Sequence, residues 1–306
     1  VLWDPEQPAL YTANVSTVTS GDPGGSDTTV ARFGIRTITR DGYRFLLNGR
    51  PLFLAGYGDD AVYPLTVAPP RNKSAYLKKL RFAHDHGFRF VRHHSHVLPD
   101  EYFDAADEVG VLISPELPCV YSSYYNMAGP VGLAEYARTW SAYITRLRNH
   151  PSIFDWAMCN EYASGIKQGP ELYAAAKALN PTRLVIDADG LFGWSPTDRE
   201  YLRPTLDFAS VQFDVGELPL TNPTKFVFEG IPLRPVISHE TGNYNTFPRV
   251  GSLLAEFAAG SASIKPYWLT PAQDRLNASG LLDEDELWAD CSEKLYRLCW
   301  KNNLEA

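Results

Sequence analysis

From residue 43 onward the sequence predicts an α/β fold, a (β/α)8 TIM barrel that stops short of its eighth strand, and ahead of it the last strands of a β-sandwich. Three observations carry this. Seven short apolar runs alternate with helical patterns after residue 43, the rhythm of βα units around a parallel sheet. Residues 1–42 hold β-rich alternation and a Gly/Pro/Asp turn cluster without helical periodicity. No glycine-rich phosphate loop follows the first run, which weighs against the competing open, doubly wound sheet. A closed barrel needs eight strands, and no eighth run is found before Ala306. The division is 1–42 for the end of the sandwich and 43–306 for the barrel.

In order, Leu10–Val18 and Thr28–Ile35 read as strands flanking the turn Gly21–Asp27. Two strands cannot stand as a sandwich alone, so its beginning is expected upstream. The first barrel strand is Leu52–Tyr57, and a helix capped by Ser74 then runs to His86, with Leu77, Leu80 and Ala83 on one stripe and Gly87 as its stop. Phe88–Arg92 is the second strand. Asp100 caps a helix ending at Gly110, and Val111–Glu116 is the third strand. A longer helix spans Val131 to Arg148 on the stripe Tyr136, Trp140, Ile144 and Leu147, and Ile153–Cys159 is the fourth strand. Pro170 opens a helix through Leu179. Leu184–Asp187, Phe208–Phe213 and Pro235–His239 are the fifth, sixth and seventh strands; the remainder is mostly helical.

Composition narrows the classes of function. With 44% apolar and 21% charged residues, the 306-residue chain is not globally disordered. A net charge of −8 argues against a nucleic-acid partner, and no apolar run is long enough for a membrane span. The chain opens Val1-Leu2-Trp3-Asp4-Pro5, without an initiating methionine, a basic n-region or an apolar h-region, and so reads as a segment cut from something longer. Cys119, Cys159, Cys291 and Cys299 sit at no metal-like spacing and are expected as free thiols. The Asn-x-Ser sequons at Asn14, Asn72 and Asn277 are too short to signify. The compartment stays open, with an extracellular or periplasmic setting favoured, as does the oligomeric state.

Barrel active sites gather where strands end. That gives Tyr57 to Asp60, Arg92 to His96, Glu116, Asn160 with Glu161, Asp187 to Asp189, Gln212 to Asp214, and His239 with Glu240. Glu161 closes the fourth strand and Glu240 the seventh, on opposite sides of a barrel mouth. Two carboxyls about 5–5.5 Å apart, one protonated and one ionised, are what retaining glycoside hydrolysis requires. Solvated strand-end acids would give the same pattern.

The stretch Asn149-His150-Pro151-Ser152-Ile153-Phe154-Asp155-Trp156-Ala157-Met158-Cys159-Asn160-Glu161 resembles the acid/base signature of family 2 glycoside hydrolases, which include β-galactosidases, β-glucuronidases and β-mannosidases. Leu2–Tyr11 is similar to that family's immunoglobulin-like domain. Phe33-Gly34-Ile35-Arg36 and Phe45–Pro51 resemble its entry into the barrel, and Phe90-Val91-Arg92 and Asp107–Glu116 its second and third strands. The resemblance implies that residues 1–42 end an immunoglobulin-like sandwich. It also implies that Glu161 is the acid/base, that Asn160 binds the sugar 2-hydroxyl, and that Glu240 is the nucleophile, held ionised by Arg92.

Around Glu240 the sequence departs from the family. His239 stands before it and Thr241 takes the place of an aromatic residue. Glu116 matches a third-strand acid near the site, a metal ligand in some members only. Asp59, Asp60, Asp187 and Asp189 are candidate ligands of sugar hydroxyls. Trp156 reads as core. In the run Arg92-His93-His94-Ser95-His96, His94 and His96 are either sugar-binding or loop-forming; a metal site would need further histidines, and only His150 and His239 follow. The expectation is a retaining exo-glycosidase acting on a carbohydrate substrate, with no cofactor and no metal. The alternatives are a carbohydrate-binding barrel without turnover and a metal-dependent barrel hydrolase.

Overall fold

The computed structural model describes residues 1–21, 23–63, 66–119, 130–161, 169–190, 205–212, 234–240, 245–260 and 264–305. These fall into two compact units. The first comprises Val1–Ala61, Pro70–Gln212 and the strand ending at His239; the second comprises Val62–Pro69 and the chain from Glu240 onward.

In the first unit, β1 (Tyr11–Thr19) and β2 (Gly25–Phe33) form an antiparallel hairpin. β3 (Ile38–Asp41), β4 (Arg44–Leu47) and β5 (Arg50–Leu52) form a small antiparallel sheet. The turn between β4 and β5 is Asn48-Gly49, both with positive φ (52° and 75°), the geometry that favours Asn-Gly in two-residue hairpins. This corrects the first barrel strand. Leu52 belongs to the hairpin, and the barrel begins at β6 (Gly56–Asp59).

Among the described residues seven further strands follow, paired in parallel within two groups. β6, β7 (Phe90–His93) and β8 (Leu112–Pro115) share one ladder. Bridges from Ile113 to Ile153 and from Glu116 to Ala157 lead to β9 (Asp155–Ala157), which pairs with β10 (Leu184–Ile186). β11 (Ala209–Gln212) pairs with β12 (Val236–His239). Among the described residues no ladder joins β12 back to β6.

The helices between them are α1 (Lys73–Asp85), α2 (Asp100–Val109), α3 (Pro130–Leu147) and α4 (Gly169–Leu179). Two caps differ from expectation. Asn72 caps α1, its side chain accepting from the Ser74 amide at 2.9 Å, because an Asx oxygen reaches the donor two residues on. Asp100 is the first residue of α2 after Pro99, and its carboxylate takes Arg146 at 2.9 Å instead of a helix amide. The α3 stripe is as expected: Tyr136, Trp140, Ile144 and Leu147 are all buried. Trp156 is core, its ring edge-on to Tyr143 at 5.0 Å.

The two ends of the parallel strands differ in chemistry. At the N-terminal ends, Phe45 of β4 meets Phe154 at 5.1 Å and Phe208 at 5.5 Å, and Phe90 meets Phe154 at 5.5 Å. Each buried ring contributes about 1.5–3 kcal/mol by burial, and each pair roughly 0.5–1.5 kcal/mol more. The small sheet therefore plugs this end. Trp3 joins the same cluster and donates to the Asp107 carbonyl at 2.9 Å. Arg36 donates to the carbonyls of Pro151 and Ile153. A second set of buried polar groups, centred on Arg92, collects at the opposite, C-terminal ends.

The second unit is helical: α5 (Val250–Ala258), α6 (Leu269–Ser279), a 3-10 turn Leu282–Glu284 and α7 (Asp285–Glu305). Arg249 reaches Glu286, Asp290 and Glu293 along one face of α7. Among the described residues no helix is long and apolar enough to cross a membrane.

Candidate active site

The acid/base-like signature divides in two. Its first half is structural. Asp107 receives the Ser152 amide at 3.0 Å and lies 2.7 Å from His150 Nδ1, while Arg183 donates to the His150 carbonyl at 2.9 Å. Pro151 packs so closely on Gly34 that a Cβ there would sit 2.7 Å from it. The Asn-His-Pro turn thus docks the Gly34–Arg36 segment to the plugged end of the strands. Its second half lies at the other end, where β9 delivers Asn160 and Glu161.

There a buried polar cluster forms around Arg92 at the end of β7. Its guanidinium pairs with Glu116 at 2.8 Å and with Asp189, and donates to Asn160 Oδ1. His94 Nδ1 is 3.2 Å away. Ser95 donates to the second Glu116 oxygen at 3.1 Å, and Ser210 donates to Asp189. His239 lies with Nδ1 3.2 Å from Asp189 and Nε2 3.4 Å from Glu161 Oε1. The backbone fixes the same residues, since Glu161 N donates to Asp189 O at 2.7 Å and Asn160 N to Cys119 O at 2.8 Å. Glu161 and Glu240 both adopt left-handed backbone, φ 49° and 44°. Non-glycine residues hold that conformation at a cost of order 1–3 kcal/mol, and they concentrate at functional sites.

The site residues expected from the sequence are distributed as follows. Arg92, Glu116, Asn160, His94, His239 and Glu161 belong to the cluster. His96 turns away, its Nδ1 2.7 Å from the His94 carbonyl and its ring stacked 5.0 Å from His93. Asp60 is exposed beyond β6, its charge felt at His96. Asp59 is committed to Lys79 at 2.5 Å, and Asp187 accepts from Thr205 at 2.5 Å. Glu240 directly follows β12. Asp214, Thr241 and Gly242 lie outside the described residues. Asp189 is the central acid that sequence reasoning underrated: its Asp-x-Asp-Gly context at a strand end was the available signal. His93 is a core residue among His96, Tyr102 and Phe103, where burial pulls its pKa down to about 3 and keeps it neutral.

Burial raises the Asp189 carboxyl, but Arg92, His239 and Ser210 outweigh it and hold the group below its ordinary range, ionised. Burial lifts Glu116 to about 7, with Arg92 opposing and Asp189 adding. The consequence for stability has a definite sign. The folded pKa of Glu116 exceeds the unfolded value of about 4.3. Its contribution is therefore full at low pH and is lost between about 4.3 and 7 as pH rises. The stability of the wild type relative to Glu116→Gln is expected to decline across that window and level off above it. Urea unfolding at a series of pH values checks this, and a pH-independent difference would sink it.

Gly190 presents a second test. Its φ is +73°, and a Cβ there would lie 2.3 Å from His239 Nε2. Gly190→Ala is expected to displace the imidazole and lower stability by about 1–3 kcal/mol, the usual cost of overpacking. A melting temperature equal to wild type would contradict the close approach.

Comparison with known proteins identifies the family. The family model described as glycosyl hydrolases family 2, TIM barrel domain, matches residues 39–200. The chain is 32% identical over 197 residues to a putative β-glucuronidase of Formosa agariphila, covering 62% of this chain and 18% of that protein. It is 33% identical over 182 residues to an exo-β-D-glucosaminidase of Streptomyces avermitilis, covering 53% and 19%. Among solved structures it resembles a β-glucuronidase of Parabacteroides merdae, with TM-score 0.51, 28% identity, and coverage of 60% of this chain and 24% of that one. A galacturonate-bound β-galacturonidase of Eisenbergiella tayi gives TM-score 0.53, 31% identity, and coverage of 60% and 33%. The chain spans 18% to 32% of the length of the first two curated relatives. With just over half of its residues matched by the family's own barrel model, the chain belongs to glycoside hydrolase family 2.

Proposed function

We propose that this chain carries the catalytic centre of a retaining glycosidase that cleaves β-linked glycosides, with β-glucuronides as the first substrates to test. In this reading residues 1–42 end an immunoglobulin-like domain and residues 43–306 form the catalytic barrel. The observation that carries it is the locking of Asn160 and Glu161 at the end of β9 by Arg92, Asp189 and His239. Arg92 occupies Asn160 Oδ1, which leaves the amide NH2 to donate to a sugar hydroxyl. Glu240 attacks the anomeric carbon while protonated Glu161 donates to the departing oxygen. A covalent glycosyl-enzyme forms. Glu161 then takes a proton from water, which attacks the same carbon, and the configuration is retained. The β-glucuronide preference rests on the names of the relatives.

The test uses the full-length gene product and a panel of 2-deoxy-2-fluoro glycosyl fluorides that includes glucuronyl, galacturonyl and glucosyl sugars. The expected result is a stable adduct on Glu240 with the glucuronyl reagent, mapped by peptide mass. An adduct on another residue would overturn the nucleophile. No adduct from a folded protein that still binds glycans would favour a binding barrel without turnover.

A further inference from the structure

Two thiols lie directly beneath the candidate acid/base residue. Cys119 follows β8, and Cys159 follows β9 immediately before Asn160. The two segments run side by side: Glu116 bridges to Ala157, Leu117 N donates to Ala157 O at 3.2 Å, and Asn160 N donates to Cys119 O at 2.8 Å. Cys159 Sγ lies 3.0 Å from Cys119 O and 2.6 Å from Cys119 Sγ, and both residues are buried. A separation of 2.6 Å falls between a sulfur–sulfur bond of about 2.0 Å and a nonbonded contact of about 3.5–4.0 Å.

We propose that Cys119 and Cys159 form a disulfide in the oxidised protein, a crosslink that fastens the ends of β8 and β9 under Asn160 and Glu161. The backbone pairing already holds the two positions in register, so closing the bond requires only a small shift of the sulfurs. With oxidised glutathione as the oxidant, one cysteine thiolate attacks the glutathione disulfide and releases one glutathione thiolate. The second cysteine thiolate then displaces the other glutathione from the mixed disulfide. Two protein thiols lose two protons and two electrons, and one glutathione disulfide becomes two glutathione thiols. The crosslink closes a loop of 40 residues in sequence and restricts the unfolded chain. Cys291 and Cys299 remain thiols. The proposal stands independently of the glycosidase reading, because its readout is a mass and not a turnover.

The experiment refolds the full chain in oxidised glutathione, quenches with acid, then alkylates with iodoacetamide in denaturant without reductant. The expected product carries two alkyl groups, on Cys291 and Cys299. It also yields one linked peptide pair containing Cys119 and Cys159, lighter than the two thiol peptides by two hydrogen atoms. Dithiothreitol is expected to lower the melting temperature of this product and to leave that of the Cys119→Ser/Cys159→Ser variant unchanged. Four alkylated cysteines would overturn the proposal, as would glutathione retained on Cys119 or Cys159, or a crosslink that includes Cys291 or Cys299.

Discussion

Replacing Glu161 by alanine is expected to lower kcat/KM for an unactivated β-glycoside by roughly 10²–10⁴-fold, the range that a positioned acid–base group supplies. A substrate whose leaving group departs without protonation, such as a glycosyl fluoride, should show a much smaller loss in the first step. The deficit then falls on release of the sugar, because no base remains to activate water. Azide, which needs no base, should restore turnover and give a glycosyl azide of retained configuration. Glu161→Gln provides a control that keeps the shape of the side chain at φ 49°. Activity within about tenfold of wild type on unactivated glycosides, for both variants, would remove Glu161 from the chemistry.

The second large effect is on stability. Arg92→Met removes the cation that pairs with two buried acids, Glu116 and Asp189. Glu116 can take up a proton near neutrality, since burial has already lifted it to about 7. Asp189 is different: Arg92, His239 and Ser210 hold it ionised against burial. Stripping the guanidinium from a buried charge costs about 3–5 kcal/mol. A large fraction of the stability of a domain disappears at that cost. The double variant Arg92→Met/Asp189→Asn should be less destabilised than the sum of the single variants, because the orphaned charge is gone. Urea unfolding of the three variants makes the cycle. Strict additivity would show that Arg92 and Asp189 are not coupled.

What was legible in the sequence was local. The stripe Tyr136, Trp140, Ile144 and Leu147 repeats on one helical face, so α3 could be read and is buried as expected. The run from Asn149 to Glu161 could be read as one signature, although the structure assigns its two halves to opposite ends of the strands. Leu52 misled because an apolar run looks the same in a hairpin arm as in a barrel strand. The Asn48-Gly49 turn was the signal that separated them. The partners of Arg92 were not legible. Glu116, Asn160 and Asp189 lie 24, 68 and 97 positions away, and the Asp-x-Asp-Gly context of Asp189 marks a strand-end acid without naming its partner. The Cys119–Cys159 approach was hidden in the same way, since only the pairing of β8 with β9 brings the two sulfurs together.

The strapping of the N-terminal segment onto the plugged end bears on synthesis. Trp3 donates to a carbonyl 104 residues later, and Arg36 to carbonyls 115 and 117 residues later. A ribosome adds roughly 5–20 residues per second. Trp3 and Arg36 therefore wait, with an indole and a guanidinium unmatched, for roughly 5–20 s until their acceptors emerge. During that interval Trp3 and Arg36, made earlier, lack the carbonyls that hold them in the folded protein, and this segment finds its place only after the strands it covers have been made.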